Sequence, residues 1–243
     1  MMKKNYTLLF LLFFSTICFS QITNSYYPTG QEAYPGGENK LYKDLREAIL
    51  KKNIEKCAKN EYLYVRLRID KQGKPAFIKN DTNKRQIEQN PCAFNMVIQG
   101  LKGLSGWVAA KKGGISYDAL YEFPFFPNDL LMDYNEDYSP SANTKMPEYE
   151  GGEDAFRREL SFLMNQYLGD MYHPVGVFKL SFLVDEKGKM SEFEINPRVE
   201  NTEAFLKDIN SVTRKMRNKW KPGEYKGVPI RSRHNIKINF LKD

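Results

Sequence analysis

The chain has 243 residues, enough for one or two domains of ordinary size, and a hydrophobic fraction of 41% is sufficient for a packed core. An aromatic fraction of 14% argues against a mostly disordered chain. The formal charge of +7 is spread along the sequence without a motif that reads bases, so we expect a solvated basic surface and no nucleic-acid partner.

The N-terminus has the three parts of a secretory signal peptide. Two lysines precede an unbroken apolar run at residues 8–14, and Ser20 is the small residue before the cleavage point. The apolar run is shorter than the roughly 20 residues that a membrane span requires. We therefore predict a signal peptide over residues 1–20, cleavage after Ser20, and a mature periplasmic protein that does not span the membrane. A permanent membrane anchor and a lipid anchor on Cys18 are the alternatives.

Residues 21–126, here called the first unit, contain a regular succession of predicted elements. A Gly-Gly-Glu sequence at residues 36–38 begins a helix, because an acidic side chain in the first turn suits the helix dipole. Tyr64, Arg66 and Arg68 alternate with aliphatic residues, which predicts a strand with one buried and one solvated face. A tight turn, a second strand, a second helix and a last strand follow at residues 70–73, 75–80, 94–101 and 115–125.

Residues 127–145 contain Asn, Asp, Ser and Pro without periodicity, which predicts a linker to the second unit, residues 146–243. The second unit repeats the order of elements. Apolar side chains from Phe156 to Tyr167 form one helix face, and Thr202 is the predicted N-cap of a second helix. The first helix, the hairpin, the second helix and the last strand are predicted at residues 152–167, 180–195, 202–218 and 235–240.

The two units align at a constant offset of 115 residues, which falls to 113 just before the tryptophans. The positions that define the shared motif are Gly36, Gly37, Gly73, Trp107, Gly151, Gly152, Gly188, Trp220, Pro222 and Gly223. We interpret the glycines as turn residues and the tryptophans as core residues. The sequence therefore predicts an α+β fold of two repeated small domains, each a three-stranded antiparallel sheet with two helices on one face.

Two cysteines, Cys57 and Cys92, remain after removal of the signal peptide, and an even count in an oxidising compartment permits one disulfide. The first hairpin brings the ends of its two strands together, and the cysteines lie just outside those ends. We therefore consider Cys57 and Cys92 a candidate disulfide pair, with two separate buried thiols as the alternative.

No catalytic residue, metal-ligand set or cofactor is predicted. The chain has two histidines without metal-ligand spacing, no nucleophile elbow and no phosphate-binding loop. We expect a protein that is not an enzyme, and a cell-envelope hydrolase is the least favoured alternative.

The second unit resembles the C-terminal domain of the TonB energy-transducer family. The resemblance rests on Pro-Glu-Tyr-Glu-Gly-Gly at residues 147–152, Phe-Leu-Val-Asp-Glu-Lys-Gly at 182–188, Trp-Lys-Pro-Gly at 220–223 and Gly-Val-Pro at 227–229. The first unit keeps the glycines and Trp107 but has Trp-Val-Ala-Ala at residues 107–110, so it resembles a degenerate copy.

In that family the C-terminal domain binds an extended segment of an outer-membrane transporter beside its own last strand, which is β-augmentation. The resemblance implies an envelope protein or an extended peptide as partner, such as a segment of an outer-membrane transporter. The candidate peptide-binding edge carried over to this chain consists of Arg231, Arg233, Asn235, Lys237, Ile238 and Asn239. Residues 21–34 are too few to cross the periplasm, so we expect peptide binding without force transmission. A membrane-anchored transducer subunit is the alternative function.

Overall fold

A computed structural model describes residues 26–217 and 219–240. The predicted signal peptide and its cleavage point lie outside these residues. The described chain is a mixed α+β protein with six α-helices and several small antiparallel sheets. Within the same residues, no helix is both long enough and apolar enough to cross a membrane.

The first unit is built on a three-stranded antiparallel sheet with helices on one face. Its elements and the helix that follows them are α1 (Gly37–Lys51), β1 (Leu63–Ile69), β2 (Pro75–Phe77), α2 (Asp81–Gln89), α3 (Pro91–Leu101), β3 (Ala110–Lys112), β4 (Ile115–Tyr117), β5 (Ala119–Phe125) and α4 (Pro127–Met132). β1 is the central strand in the order β2-β1-β5. Alternate residues of β1, Val65 and Leu67, share one core with Leu41 and Leu45 of α1 and with Val97 of α3.

The second unit also contains a three-stranded antiparallel sheet with helices on one face. Its elements and the short strand that precedes them are β6 (Thr144–Lys145), β7 (Glu148–Tyr149), α5 (Gly152–Leu168), β8 (Gly176–Val184), β9 (Met190–Asn196), α6 (Thr202–Thr213), β10 (Trp220–Lys221), β11 (Gly223–Tyr225), β12 (Val228–Ile230) and β13 (Ser232–Phe240). β8 is the central strand in the order β13-β8-β9. Leu180 and Phe182 of β8 share a core with Phe156 and Leu160 of α5 and with Ile209 of α6.

The two sheets have the same strand register. Val65 of β1 lies opposite Phe123 of β5, and Leu180 of β8 lies opposite Ile236 of β13. The offsets found in the sequence therefore relate the two central strands to each other and the two last strands to each other. Each residue of one sheet therefore has a matching position in the other.

The turn glycines and the tryptophans occupy matching places in the two units. Gly73 and Gly188 have φ angles of 78° and 77°, which disfavour any residue with a side chain. A Cβ atom would lie 2.4 Å from the carbonyl oxygen of Trp107 in the first unit and 2.0 Å from that of Trp220 in the second. The tryptophan rings are 6% and 4% exposed and lie in the two cores. Each hairpin turn thus packs directly on the backbone of its tryptophan.

The other motif residues lie at helix starts and between short strands. Gly36 and Gly151 are the left-handed N-caps of α1 and α5, with φ angles of 85° and 83°. Pro222 separates β10 from β11, and Gly223 is buried at the start of β11. These positions direct the backbone, and none of their side chains lies on β13.

The segment predicted to be a linker, residues 127–145, is folded onto the first unit. It begins with α4, and Leu130 and Tyr138 are buried in the first core. A helix of six residues is too short to show an apolar periodicity, so no pattern predicted it. A packed segment, rather than a free linker, connects the two sheets.

Two further helices differ from the predictions. α2 was not predicted, because Ile87 is its single apolar side chain; it begins after Asn80, which forms a capping box with Asn83. α6 ends at Thr213, five residues before the predicted end, and the chain then turns into β10. Its N-cap is Asn201 rather than Thr202, which is the first helical residue.

The outer faces of the two sheets, which point away from the helices, pack against each other. Arg66 lies 2.7 Å from Glu122 and 2.6 Å from Glu192, and Arg233 lies 2.9 Å from Glu122, measured between guanidinium nitrogen and carboxylate oxygen. The prediction of a solvated face is wrong for Tyr64 and Arg66, which are 8% and 2% exposed. The alternation of polar and apolar residues is the same whether the polar side chains meet water or meet charged partners on a second sheet.

Cys57 and Cys92 form a disulfide, with sulfur atoms 2.00 Å apart and Cα atoms 5.8 Å apart. The bond joins the segment before β1 to the start of α3. Glu61 lies close to both sulfur atoms, and these three residues are the sole group with metal-ligand geometry in the part of the chain that the structure describes. Because the sulfurs are bonded to each other, they do not provide the thiolates that a metal requires.

Candidate functional site

β13 forms one edge of the second sheet. Its nine residues pair with β8 on one side, from Ser232 opposite Val184 to Phe240 opposite Gly176. On the other side, here called the outer edge of β13, it pairs with no strand among residues 26–217 and 219–240. Backbone donors and acceptors along such an edge are available to a further strand.

The first sheet identifies which backbone groups face the outer edge of β13. Pro124 of β5 lies opposite a residue of β1, and proline has no N–H to donate to a neighbouring strand. Proline is tolerated in a strand where the missing N–H would point away from the partner. Lys237 occupies the matching register position in β13. Because backbone direction alternates along a strand, the residues whose N–H and C=O groups point to the outer edge are Arg233, Asn235, Lys237 and Asn239.

A helix side chain contacts this edge in both units, which supports the assignment. Arg157 of α5 donates its Nε–H to the carbonyl oxygen of Lys237 at 2.9 Å. Tyr42 of α1, at the matching position, donates its hydroxyl to the carbonyl oxygen of Pro124. A carbonyl that pointed into the sheet would be occupied by the neighbouring strand, so both contacts place these carbonyls on the outer edge.

Arg157 is held in place by the first turn of α5. Its guanidinium lies 2.7 Å from the carboxylates of Glu153 and of Asp154. Glu153 also lies 3.3 Å from Nε2 of His234. Burial lowers the pKa of His234 below its ordinary value, although Glu153 opposes this effect, so His234 is neutral at pH 7. A strand that pairs with Lys237 must therefore displace one arginine that is already bound to two carboxylates.

The outer edge of β5 is occupied by the segment that precedes α1. Tyr26 forms a parallel bridge with Leu120, and its carbonyl oxygen accepts a hydrogen bond from the hydroxyl of Tyr117 at 3.1 Å. Farther along the same edge, Pro124 offers no donor. The ring of Tyr26 also lies 4.7 Å from the guanidinium carbon of Arg233, between the two sheets. The outer edge of β5 is thus covered by Tyr26 near Leu120, and it lacks a backbone donor at Pro124.

Three of the six residues predicted to form a peptide-binding edge are exposed on β13. These residues are Asn235, Lys237 and Asn239. Their side chains lie on the outer face, and their backbone groups point to the outer edge. Asn235 also accepts a hydrogen bond from Ser181 Oγ at 2.5 Å. Lys237 and Asn239 are therefore the predicted side chains that a partner reaches most directly.

The other three predicted residues face the interior. Arg233 turns toward the first unit, and the side chains of Arg231 and Arg233 are only 11% exposed. Arg233 binds Glu122, and Arg231 lies 4.0 Å from Glu186. Ile238 is 4% exposed and lies in the core of the second unit. Arg233 joins the two sheets through Glu122, and the low exposure of both arginines shields their guanidinium groups from a partner at the edge.

The carboxylates around Arg233 differ in their affinity for protons. Burial by itself raises the pKa of Glu122, but the positive charges of Arg233 and Arg66 outweigh burial and hold that pKa below its ordinary value. Burial raises the pKa of Glu194 to about 7, although Arg233, 3.9 Å away, opposes it. Glu122 is therefore ionised at neutral pH, whereas Glu194 is partly protonated.

Sequence reasoning missed Arg157 and Tyr26. The four-residue spacing from Glu153 to Arg157 was a signal for an ion pair at the start of a helix, but not for its contact with a strand. Nothing in the sequence around Tyr26 indicates a bridge to β5, because a single bridge has no periodicity.

No protein-family model, no curated protein and no solved structure matches this chain. The function is therefore argued from the geometry of β13 and its surroundings, together with the resemblance in residues described above.

Proposed function

We propose that this chain is a non-enzymatic binding protein of the bacterial envelope, which captures an extended segment of a partner protein by adding it as a strand to β13. The observation that carries the proposal is the outer edge of β13, a strand of nine residues whose outward backbone groups lack a partner strand in the described chain. Backbone hydrogen bonds give such a complex its affinity, and alternate side chains give it selectivity. The partner is an envelope protein, such as an outer-membrane transporter.

The resemblance to the TonB C-terminal domain supports the same function. In that family the partner segment pairs with the last strand, and β13 is the last strand in the part of the chain that the structure describes. The strand orders β2-β1-β5 and β9-β8-β13, with their common register, support the further proposal that the two units are copies of one TonB C-terminal-like domain. The first copy is degenerate, since its motif and its edge both differ.

The difference between the two edges supports binding by the second unit alone. The edge of β5 carries Pro124 and the bridge to Tyr26, whereas the edge of β13 carries the contact from Arg157. Displacing one side chain costs less than removing a chain segment and providing a missing donor. We therefore assign the partner to β13.

The disulfide supports a location outside the cytoplasm, because such bonds persist in oxidising compartments. N-terminal sequencing of the mature protein tests the periplasmic assignment. A start at Gln21 is expected, and a retained N-terminus would favour the membrane-anchored transducer instead.

Replacing Lys237 by proline tests strand addition. The substitution removes one outward donor, and the first sheet shows that this register accepts proline. We expect capture of envelope proteins from membrane extracts, quantified by mass spectrometry, to fall by about tenfold, as for the loss of one hydrogen bond. The control Lys237→Ala keeps the N–H and should retain capture. Proline at Ile238 is unsuitable, because that N–H points to β8.

Hydrogen exchange provides a second readout with the captured partner bound. The amides of Arg233, Asn235, Lys237 and Asn239 should exchange more slowly in the complex, whereas the β13 amides that pair with β8 are already protected. Undiminished capture by a folded Lys237→Pro variant, or unchanged exchange at the outward amides, would refute strand addition.

A further inference from the structure

The outer face of the second sheet is covered by the first unit at one end and open at the other. At the covered end, Leu183 is fully buried and Ser181 is 9% exposed. At the open end, the exposed residues beside the outer edge of β13 are Lys179, Lys237 and Asn239. Side chains of a strand added to β13 that point to the outer face of the sheet would therefore lie next to this open end.

Two lysines lie directly opposite each other at the open end. Lys237 of β13 pairs with Lys179 of β8 in the antiparallel register, so both side chains project from the same face. Like charges at directly opposed positions of neighbouring strands are unfavourable. The ion-paired lysines within residues 26–217 and 219–240 are Lys40, Lys145 and Lys226, so neither member of the pair has a carboxylate partner there.

The rest of this face is neutralised, which sets the lysine pair apart. Arg233 is bound to Glu122 and lies near Glu192 and Glu194. The β9 residue opposite Lys179 is Asn196, which carries no charge. The exposed end of the sheet therefore presents two positive charges that have no carboxylate partner in the described chain, next to the outer edge of β13.

We propose that the segment added to β13 carries an acidic side chain at the position opposite Lys237, and that Lys237 and Lys179 together select it. This inference rests on the proposed function and names the chemistry of the partner. A residue of the added strand opposite Lys237 would have its Cβ about 5 Å from that of Lys237. Lys179 lies one strand farther, within reach of a long side chain. The residues two positions away on the partner face Asn235 and Asn239, which suit polar neighbours.

Binding of three synthetic peptides tests the inference. Each is a capped nine-residue peptide of alternating Val and Thr with a central Glu, Gln or Lys, and each carries a fluorophore for anisotropy titration. Because one exposed ion pair contributes little, we expect the Glu peptide to bind about 3- to 10-fold more tightly than the Lys peptide, with the Gln peptide between them. The preference should shrink in about 0.5 M salt, because salt screens the attraction between exposed charges.

The substitution Lys237→Glu should reverse the preference, so that the Lys peptide binds more tightly than the Glu peptide. Lys207→Glu on α6 makes the same change of net charge at an exposed site away from β13 and should leave the order unchanged. Reversal by both variants would indicate a long-range effect of net charge and overturn the inference.

The peptide series separates failure of this inference from failure of the proposed function. Binding of all three peptides that is about tenfold weaker in Lys237→Pro, with equal affinities of the three in the wild type, would retain strand addition and overturn acidic selection. Peptides that bind Lys237→Pro as tightly as the wild type, or that bind neither, would refute strand addition itself.

A measurement without any ligand tests the same lysine pair. Lys237→Glu places opposite charges at opposed positions, so its Tm should exceed that of the wild type, while Lys237→Gln should give an intermediate Tm. A Tm of Lys237→Glu at or below that of the wild type would show that the pair is not strained, and it would remove the physical basis for selection.

Discussion

The last strands of the two sheets, β5 and β13, have the same register and the same contact from a helix, yet their outer edges differ. Pro124 blocks one edge and the segment at Tyr26 covers it, whereas the other edge has Lys237 and the contact from Arg157. Edge strands invite pairing with other chains, and proline or a covering segment prevents it. Two sheets with the same strand register can therefore have one closed and one open outer edge.

The outer faces of the two sheets, which pack against each other, give the first unit a structural role. Arg66 and Glu122 of the first sheet bind Glu192 and Arg233 of the second. Removing the first unit would take Glu122 away from Arg233 and Arg66 away from Glu192, and it would expose these charges of the second sheet to water. The first unit therefore covers part of the outer face of the second sheet, next to the outer edge of β13.

The largest expected effect concerns the disulfide, which lies in the first unit. Cys57→Ala with Cys92→Ala removes a bond between residues 35 apart, and the chain-entropy model gives a loss of about 4 kcal/mol in unfolding free energy. Urea unfolding followed by circular dichroism measures it. The wild type in dithiothreitol should match the double variant, which should itself not respond to the reductant. Equal stability with and without the bond would contradict the prediction.

The pH dependence of stability tests the shared face. Burial raises the pKa of Glu194 to about 7, so the folded protein keeps a proton that the unfolded chain has released. This contribution is complete below pH 4 and is lost as the pH rises through 7. Glu194→Gln mimics the protonated form and should be more stable than the wild type at pH 8 by about 1–3 kcal/mol, and equal to it near pH 4.

The wild type is compared with Glu194→Gln because other groups also contribute to the pH dependence of stability. His234, whose pKa burial lowers, changes stability in the opposite direction, and both proteins contain it. Glu122, Glu192, Arg66, Arg233 and Tyr26 also face the site. A difference between the two proteins that does not vary with pH would contradict a raised pKa for Glu194.

Tyr26→Ala should loosen the covered edge without creating a binding site. Loss of its ring from the guanidinium of Arg233 should lower the unfolding free energy by about 1–2 kcal/mol. The amide of Leu120 should exchange faster by mass spectrometry. Capture should not change, because Pro124 still lacks a donor. Tyr167→Ala, at an exposed tyrosine on α5, is the control.

The smallest effect is expected for Arg157→Ala. The variant frees the carbonyl oxygen of Lys237, so a partner strand no longer has to displace a hydrogen bond. The dissociation constant of the partner should fall by about two- to fivefold. This effect is smaller than the full net contribution of a neutral hydrogen bond. Arg158→Ala removes the same charge at the exposed neighbouring residue and should have no effect. Weaker binding by Arg157→Ala would mean that the arginine contacts the partner.

The predictable part of the fold is local. The alternation from Tyr64 to Ile69 and the Asp-to-Gly turns predicted both hairpins, and the disulfide pair was a candidate because the hairpin brings its flanks together. α2 and α4 were not predicted, since one is polar apart from Ile87 and the other has six residues. Short or polar helices depend on their tertiary contacts, which a periodicity does not contain.

The candidate site was predictable in its strand but not in its surroundings. The resemblance placed the edge at residues 231–239, and β13 includes most of it. That Arg233 points to the first unit depends on Glu122, which lies more than a hundred residues away and whose approach no local pattern encodes. The same distance separates the two sheets in sequence, so their contact was not predictable.

Pro124 has a consequence for stoichiometry. A tandem protein with two receptive edges could cross-link two partners, or add to its neighbours head to tail and grow into filaments without a natural end. Because Pro124 blocks the outer edge of β5, strand addition as proposed at the last strands would use β13 alone, and each chain would bind one partner segment there. A chain with two sheets of matching register would thus avoid end-to-end assembly through these two strands.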